Sequence, residues 1–126
     1  MRAIDTNVLV RLIAQDDKVQ ASAAKSFITR GAWVSHLALV ETTWVLAAVY
    51  DIAPKGIATA VEMLLNHKDI SLQDPDVVAA ALLHFSKKPS LGFSDCMMLE
   101  TARKAGHLPL ATFDKALGKL DGAQPL

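Results

Sequence analysis

The chain has 126 residues, with 13 basic and 13 acidic side chains and a hydrophobic content of 52%. That length supports one hydrophobic core and is too short for two independent ones, so a single domain over residues 1–126 is expected. No apolar run is long enough to span a bilayer, Asp5 interrupts the first apolar stretch where a leader segment would need it, and Cys96 is the lone cysteine. A soluble cytoplasmic protein without disulfides or membrane association is therefore expected.

In chain order, a first strand over residues 2–5 runs Arg2-Ala3-Ile4 straight into an acid, Asp5, and Thr6-Asn7 lead at once into an apolar helix from Val8 to Ile13. Asp17 begins a second helix, to about Arg30, that Gly31 ends. A strand over 32–35 precedes a helix from Leu37 to Tyr50. Its apolar stripe is Leu37, Val40, Trp44, Val45 and Ala48, and Glu41 falls inside it, which predicts an inward-aimed carboxylate. Pro54 starts the next helix, Lys55 to His67, and a strand over 69–72 follows. Asp74-Pro75 opens a helix to about Lys87. The stretch Lys88 to Phe93, with Pro89 and Gly92, reads as the most mobile loop. Ser94 reads as the N-cap of a helix from Asp95 to Ala105, stopped by Gly106, and the row Asp95, Met98, Leu99, Ala102 sets that acid on the apolar side. A last strand over 109–113 ends in Asp114, and the tail from Gly122 to Leu126 either frays or adds a short edge strand. Helix alternating with short strand predicts an α/β fold, an α/β/α sandwich with a short, mostly parallel central sheet.

Asp5, Glu41, Asp95 and Asp114 each interrupt or end an apolar element. Burying a carboxylate costs several kcal/mol unless something compensates, and no Lys or Arg shares a helical stripe with Glu41 or Asp95. A hard divalent cation would supply the missing charge, and an all-oxygen ligand set favours Mg²⁺ or Mn²⁺ over zinc. Each acid also has an ordinary reading: Asp5 as a helix cap, Asp95 and Asp114 as first-turn acids favoured by the helix dipole, and Glu41 paired with a distant base. If four acids serve a metal, nine remain against 13 bases, and the rest of the surface is positive. Arg11, Lys87, Lys88, Lys115 and Lys119 are then candidate phosphate contacts.

Four segments, Ile4-Asp5-Thr6-Asn7-Val8-Leu9-Val10, Val40-Glu41-Thr42-Thr43-Trp44-Val45-Leu46, Ser94-Asp95-Cys96 and Ala111-Thr112-Phe113-Asp114, together resemble the PIN domains, and among them the VapC toxins of toxin–antitoxin pairs. Their order is the family's, and the resemblance covers nearly the whole chain. It implies an endoribonuclease dependent on Mg²⁺, with Mn²⁺ able to substitute. It also implies a homodimer silenced by a VapB-like antitoxin, in an assembly that can reach DNA through the antitoxin. Carried over residue by residue, Asp5, Glu41, Asp95 and Asp114 fall on the family's acidic positions, and Thr6, Asn7 and Thr112 on its polar supporting positions. Asp5 and Asp95 are then the principal metal ligands, with Glu41 and Asp114 holding water or a second ion. Thr112 and Asn7 orient carboxylates or touch the phosphate.

Many relatives carry a further acid two residues past the last motif, where this chain has Ala116, so a leaner site with weaker binding of a second metal is expected. Cys96 reads as a packed thiol, since no histidine is placed to activate it, and the four histidines are too scattered for a zinc site. A phosphotransferase with Asp5 as nucleophile needs a second acid two residues on, where Asn7 stands. A phosphoacceptor receiver built on Asp74 lacks paired acids after the first strand. A PIN-like module that binds RNA or a partner with little turnover is the remaining alternative. Trp33, Trp44, Val45, Leu46 and Val49 exceed what one helix face needs, so part of the helix from Leu37 to Tyr50 is expected to meet another chain.

Overall fold

The computed structural model describes residues 1–126, which divide into two compact units, Met1–Pro75 and Asp76–Leu126. Every strand pairing in either unit is parallel, and helices connect the strands, which is the α/β class expected from the sequence.

The first unit runs β1 (Arg2–Ala3), α1 (Thr6–Ala14), α2 (Lys18–Ile28), β2 (Ala32–Val34), α3 (His36–Ala48), α4 (Pro54–Leu65) and β3 (Ile70–Leu72). The strands form one sheet in the order β1-β2-β3, with Ala3 opposite Trp33 and Trp33 opposite Ser71. In β2 and β3 the outer residues Ala32, Val34, Ile70 and Leu72 are buried while Trp33 and Ser71 are exposed, the period-two signature of a pleated strand. The ladder ends just before the first acid: the Ile4 amide donates to the Trp33 carbonyl at 3.0 Å, and the chain leaves the sheet at Asp5.

Side chains start the helices that follow. Asp5 Oδ1 accepts from the Val8 amide at 3.0 Å, Asp17 Oδ1 from Gln20 at 3.0 Å and Ser35 Oγ from Ala38 at 3.1 Å, while Pro54 occupies the first turn of α4. Each such cap contributes about 1 kcal/mol. His36 fastens the start of α3 to the residue after β3, its amide donating to Gln73 Oε1 at 2.8 Å. Buried Leu9, Val10, Ile28, Leu39, Leu46, Val61 and Leu64 make the core of this unit.

Helix α3 departs from the sequence expectation. Its buried face is Ala38, Leu39, Thr42, Thr43 and Leu46, whereas Leu37 and Trp44, expected inward, are 69% and 67% exposed. Glu41 lies on that exposed side rather than inside. The helix is apolar nearly all round, so periodicity could not choose a face.

The second unit contains α5 (Pro75–Lys87, starting at the boundary), a 3-10 turn over Pro89–Leu91, α6 (Phe93–Ala105), β4 (Leu110–Thr112), a second 3-10 turn over Leu117–Lys119 and β5 (Ala123–Pro125). Strand β5 pairs with β4, Thr112 opposite Pro125, so the tail takes the edge-strand outcome. These two strands form their own small sheet.

Two expectations change here. The stretch Lys88 to Phe93 contains the 3-10 turn over Pro89–Leu91, with Leu91 and Phe93 buried, and Phe93 meets Phe85 edge to face at 5.9 Å. Ser94 does not cap α6: the helix already includes Phe93, and the cap position is Gly92 at φ +77°, a backbone shape glycine adopts without strain.

The charged residue buried most deeply was not anticipated. Glu100 is 7% exposed, and its carboxylate accepts from Arg103 Nε at 3.2 Å and lies 3.0 Å from His84 Nε2. Arg103 also donates to the Asp121 carbonyl at 2.6 Å, which ties α6 to the segment leading into β5. Replacing Glu100 by Ala strands the Arg103 guanidinium and removes the partner of His84 Nε2. We expect it to lower stability by about 2–4 kcal/mol in urea unfolding, against no more than about 0.5 kcal/mol for Glu62→Ala on the exposed side of α4. Equal midpoints would contradict this account.

Candidate functional site

In the first unit, Asp5 sits where β1 gives way to α1. One oxygen, Oδ1, is engaged in capping the helix, and the residue is otherwise exposed. The next residue, Thr6, donates its hydroxyl to Glu41 Oε2 at 2.8 Å, so the cap that fixes Asp5 also brings α3's acid beside the start of α1. Asp5 and Asn7 line a cleft of about 620 Å³ whose apolar wall includes Val8, Ala24 and Phe27.

Arg11 reaches the same cleft, but its guanidinium is already engaged. It donates to Gln20 Oε1 at 2.6 Å, to the Tyr50 hydroxyl at 3.0 Å and to Asp16 Oδ1 at 3.3 Å. Tyr50 in turn donates to Asp16 at 2.8 Å, and that bond holds the Asp16 carboxyl below its ordinary range. Sequence reading singled out Arg11 as a phosphate contact. The structure gives it three intramolecular partners, so a phosphate would have to compete with them.

In the second unit, Asp95 lies in the first turn of α6, half-buried, and Asp114 follows β4. The two acids interact. Burial first, and then the charge of Asp114, push the Asp95 carboxyl above its ordinary pKa. Asp114 is held from both sides: its amide donates to Thr112 Oγ1 at 3.0 Å, and its Oδ1 accepts from the Leu117 amide at 2.8 Å. The Thr112 hydroxyl thus fixes the backbone of the acid rather than its carboxylate. Thr112 is itself fixed by the β4–β5 ladder and by the Leu126 amide on its carbonyl at 2.9 Å.

The structure therefore gathers the seven sequence-selected residues in two groups, Asp5, Thr6, Asn7 and Glu41 in one unit and Asp95, Thr112 and Asp114 in the other. Neither unit by itself gathers three or more His, Cys, Asp or Glu side chains into a metal cluster. Yet no Lys, Arg or His pairs with Asp5, Glu41, Asp95 or Asp114, although Asp16, Asp76, Glu100 and Asp121 all have such partners. Oxygen donors without protein cations, one of them held above its ordinary pKa by burial and a like charge, fit a hard divalent ion. Lys87, Lys88, Lys115 and Lys119 are exposed and form no ion pair. Cys96 is fully buried with its thiol pushed up to about 11, chiefly by desolvation, so it stays protonated at neutral pH and is no nucleophile.

Sequence reading missed Gln20 and Phe27, whose spacing on α2 carried no sign that they face the Asp5 cleft. The signal for Tyr50 was weak as well, a polar tip at the end of an apolar helix.

With this geometry in view, comparison with known proteins is specific on one point. The family model described as PIN domain matches residues 3–123. No curated relative and no solved structure matches the chain. No helix is long and apolar enough to cross a membrane.

Because the folded state raises the Asp95 pKa, it prefers the proton. The associated stability is fully present below the ordinary Asp value of about 4 and is lost as pH rises through the raised value. Asp95→Asn removes this penalty. In metal-free buffer at neutral pH it should raise the melting temperature by roughly 1–4 °C, with the gain vanishing at acid pH. A lower melting temperature at pH 7 would mean that Asp95 makes a stabilising contact instead. Thr112→Val loses the bond to the Asp114 amide, while Thr112→Ser keeps it. We expect fast amide exchange at Asp114 in the first variant only.

Proposed function

This chain belongs to the PIN domain family, whose members are typically nucleases, and from that membership we propose that it is an endoribonuclease and the VapC-type toxin of a toxin–antitoxin pair. The observation that carries the proposal is the extent of the match. It runs from residue 3 to residue 123, a range that includes Asp5, Glu41, Asp95 and Asp114. We propose that the two units act as one domain, with Asp5 and Asp95 as principal ligands of a Mg²⁺ or Mn²⁺ ion and Glu41 and Asp114 completing the oxygen set. Such an ion would neutralise charge on the scissile phosphate and make a water acidic enough to attack it at neutral pH.

The protein's own groups have separate tasks in this reading. Thr6 orients Glu41 by donating to one of its oxygens, which leaves the other free. The Thr112 hydroxyl and the Leu117 amide hold Asp114 in place before substrate arrives, so little reorganisation accompanies binding. Asn7, exposed on the wall of the Asp5 cleft, can donate to a phosphate oxygen. Exposed Lys87, Lys88 and Lys115 attract the RNA backbone. Attack by water rather than by the RNA 2′-hydroxyl leaves a 5′-phosphate and a 3′-hydroxyl.

Two partners belong to the proposal. A second copy of the chain would cover Leu37, Trp44 and Val49, the exposed apolar residues of α3 and its end. A VapB-like antitoxin would silence the acids, an arginine being the side chain best suited to two carboxylate oxygens. Through it the pair would reach DNA.

Purified protein freed of any partner and incubated with total RNA should give discrete metal-dependent cuts bearing 5′-phosphates. EDTA should abolish them, and Asp5→Asn should reduce them by roughly 100-fold or more. Ends carrying a 2′,3′-cyclic phosphate would overturn the mechanism. RNA binding without any cleavage in either metal would favour a PIN module that binds with little turnover.

A further inference from the structure

The most exposed of the large apolar side chains is Phe113, at 84%, and it stands between two residues already assigned to the site, Thr112 and Asp114. Its backbone is fastened on both sides. The Thr112 carbonyl accepts from Leu126 at 2.9 Å, the Asp114 amide donates to Thr112 Oγ1 at 3.0 Å, and the Asp114 carbonyl accepts from the Gly118 amide at 2.9 Å. The next residue, Lys115, is exposed and unpaired. A rigid loop thus presents an aromatic ring, an acid and a base in succession.

An exposed aromatic could serve a protein partner or a nucleic acid. Protein interfaces are depleted in Lys and Asp at their cores, because desolvating those charges is costly, and Phe113 is flanked by both. A nucleobase stacked on one face of the ring leaves the neighbouring charges in water and brings its phosphate to Lys115. Single-stranded RNA is commonly read in this way, by splaying a base onto an aromatic side chain.

We propose that Phe113 is a stacking platform for one nucleobase of single-stranded RNA, placing the adjoining phosphate at Lys115, next in sequence to Asp114. This inference rests on the ribonuclease reading above. It adds a residue that selects unpaired over paired RNA, since a base within a duplex cannot reach the ring.

The test uses a short RNA of about 12 nucleotides spanning a mapped cleavage position, together with copies made abasic at one position at a time. KM and kcat would be measured for the wild type, Phe113→Ala, Phe113→Leu and Phe113→Trp. We expect Trp to behave as wild type, and Ala and Leu to raise KM by roughly 5- to 100-fold. One abasic position should cost the wild type the same factor and cost Phe113→Ala nothing further. The ring is exposed, so circular dichroism of all variants should superimpose. If the wild type cleaves and Phe113→Ala matches it in KM on every RNA, the stacking inference falls while the nuclease reading stands. If Phe113→Ala changes only the oligomeric state by light scattering, the ring belongs to a protein interface and the inference is overturned. If the wild type cuts no RNA at all, both fall together.

Discussion

Four carboxylates at the ends or on the faces of apolar elements have no cationic partner in the protein, and much of the chemistry depends on that imbalance. Some acids elsewhere in the chain do have one: Glu100 pairs with Arg103, Asp76 with Lys104 and Asp16 with Arg11. Asp5, Glu41, Asp95 and Asp114 have no such partner, which is also true of Asp17, Asp51, Glu62 and Asp69. At Asp95 the lack is felt directly, as burial and the charge of Asp114 make ionisation harder. A divalent cation, in the proposed reading, would offset this unfavourable electrostatics.

Backbone geometry makes such a site possible at little conformational cost. The β1–β2 ladder stops at Ile4, so Asp5 leaves the sheet and caps α1 with one oxygen. Asp114 is presented in the same manner after β4, its amide caught by Thr112 and its carboxylate by Leu117. In both places a short parallel strand delivers an acid and a side-chain or backbone hydrogen bond fixes it. Parallel strands aligned by helical crossovers put such ends at the carboxyl edge of their sheets, the edge where α/β proteins bind ligands.

The fold was legible in the sequence where local chemistry decides it. Asp17, Pro54 and Gly106 marked helix ends because caps, a fixed φ and a left-handed residue are local requirements. The acids and their polar neighbours were selected because four motifs kept one order. What failed were inferences about which way a residue faces. Glu41 was expected inside because α3 carries Leu37 and Trp44, yet a helix apolar on every side gives no direction to read, and the face with Ala38, Leu39, Thr42, Thr43 and Leu46 is the buried one. The expected Ser94 cap does not form because a buried Phe93 and a positive-φ Gly92 carry the helix start two residues further back. The contacts of Glu100 with His84 and of Arg11 with Gln20 and Tyr50 join residues 9 to 39 positions apart, which no local pattern encodes.

The central claim is that the acids of the two groups serve one cation, and a double-mutant cycle in Mn²⁺ binding tests it most directly. Affinity would be measured calorimetrically for the wild type, Asp5→Asn, Asp95→Asn and the double variant. A shared site predicts strong coupling, the double variant binding little more weakly than either single one. Purely additive losses, or an Asp95→Asn protein that binds Mn²⁺ as tightly as the wild type, would contradict it.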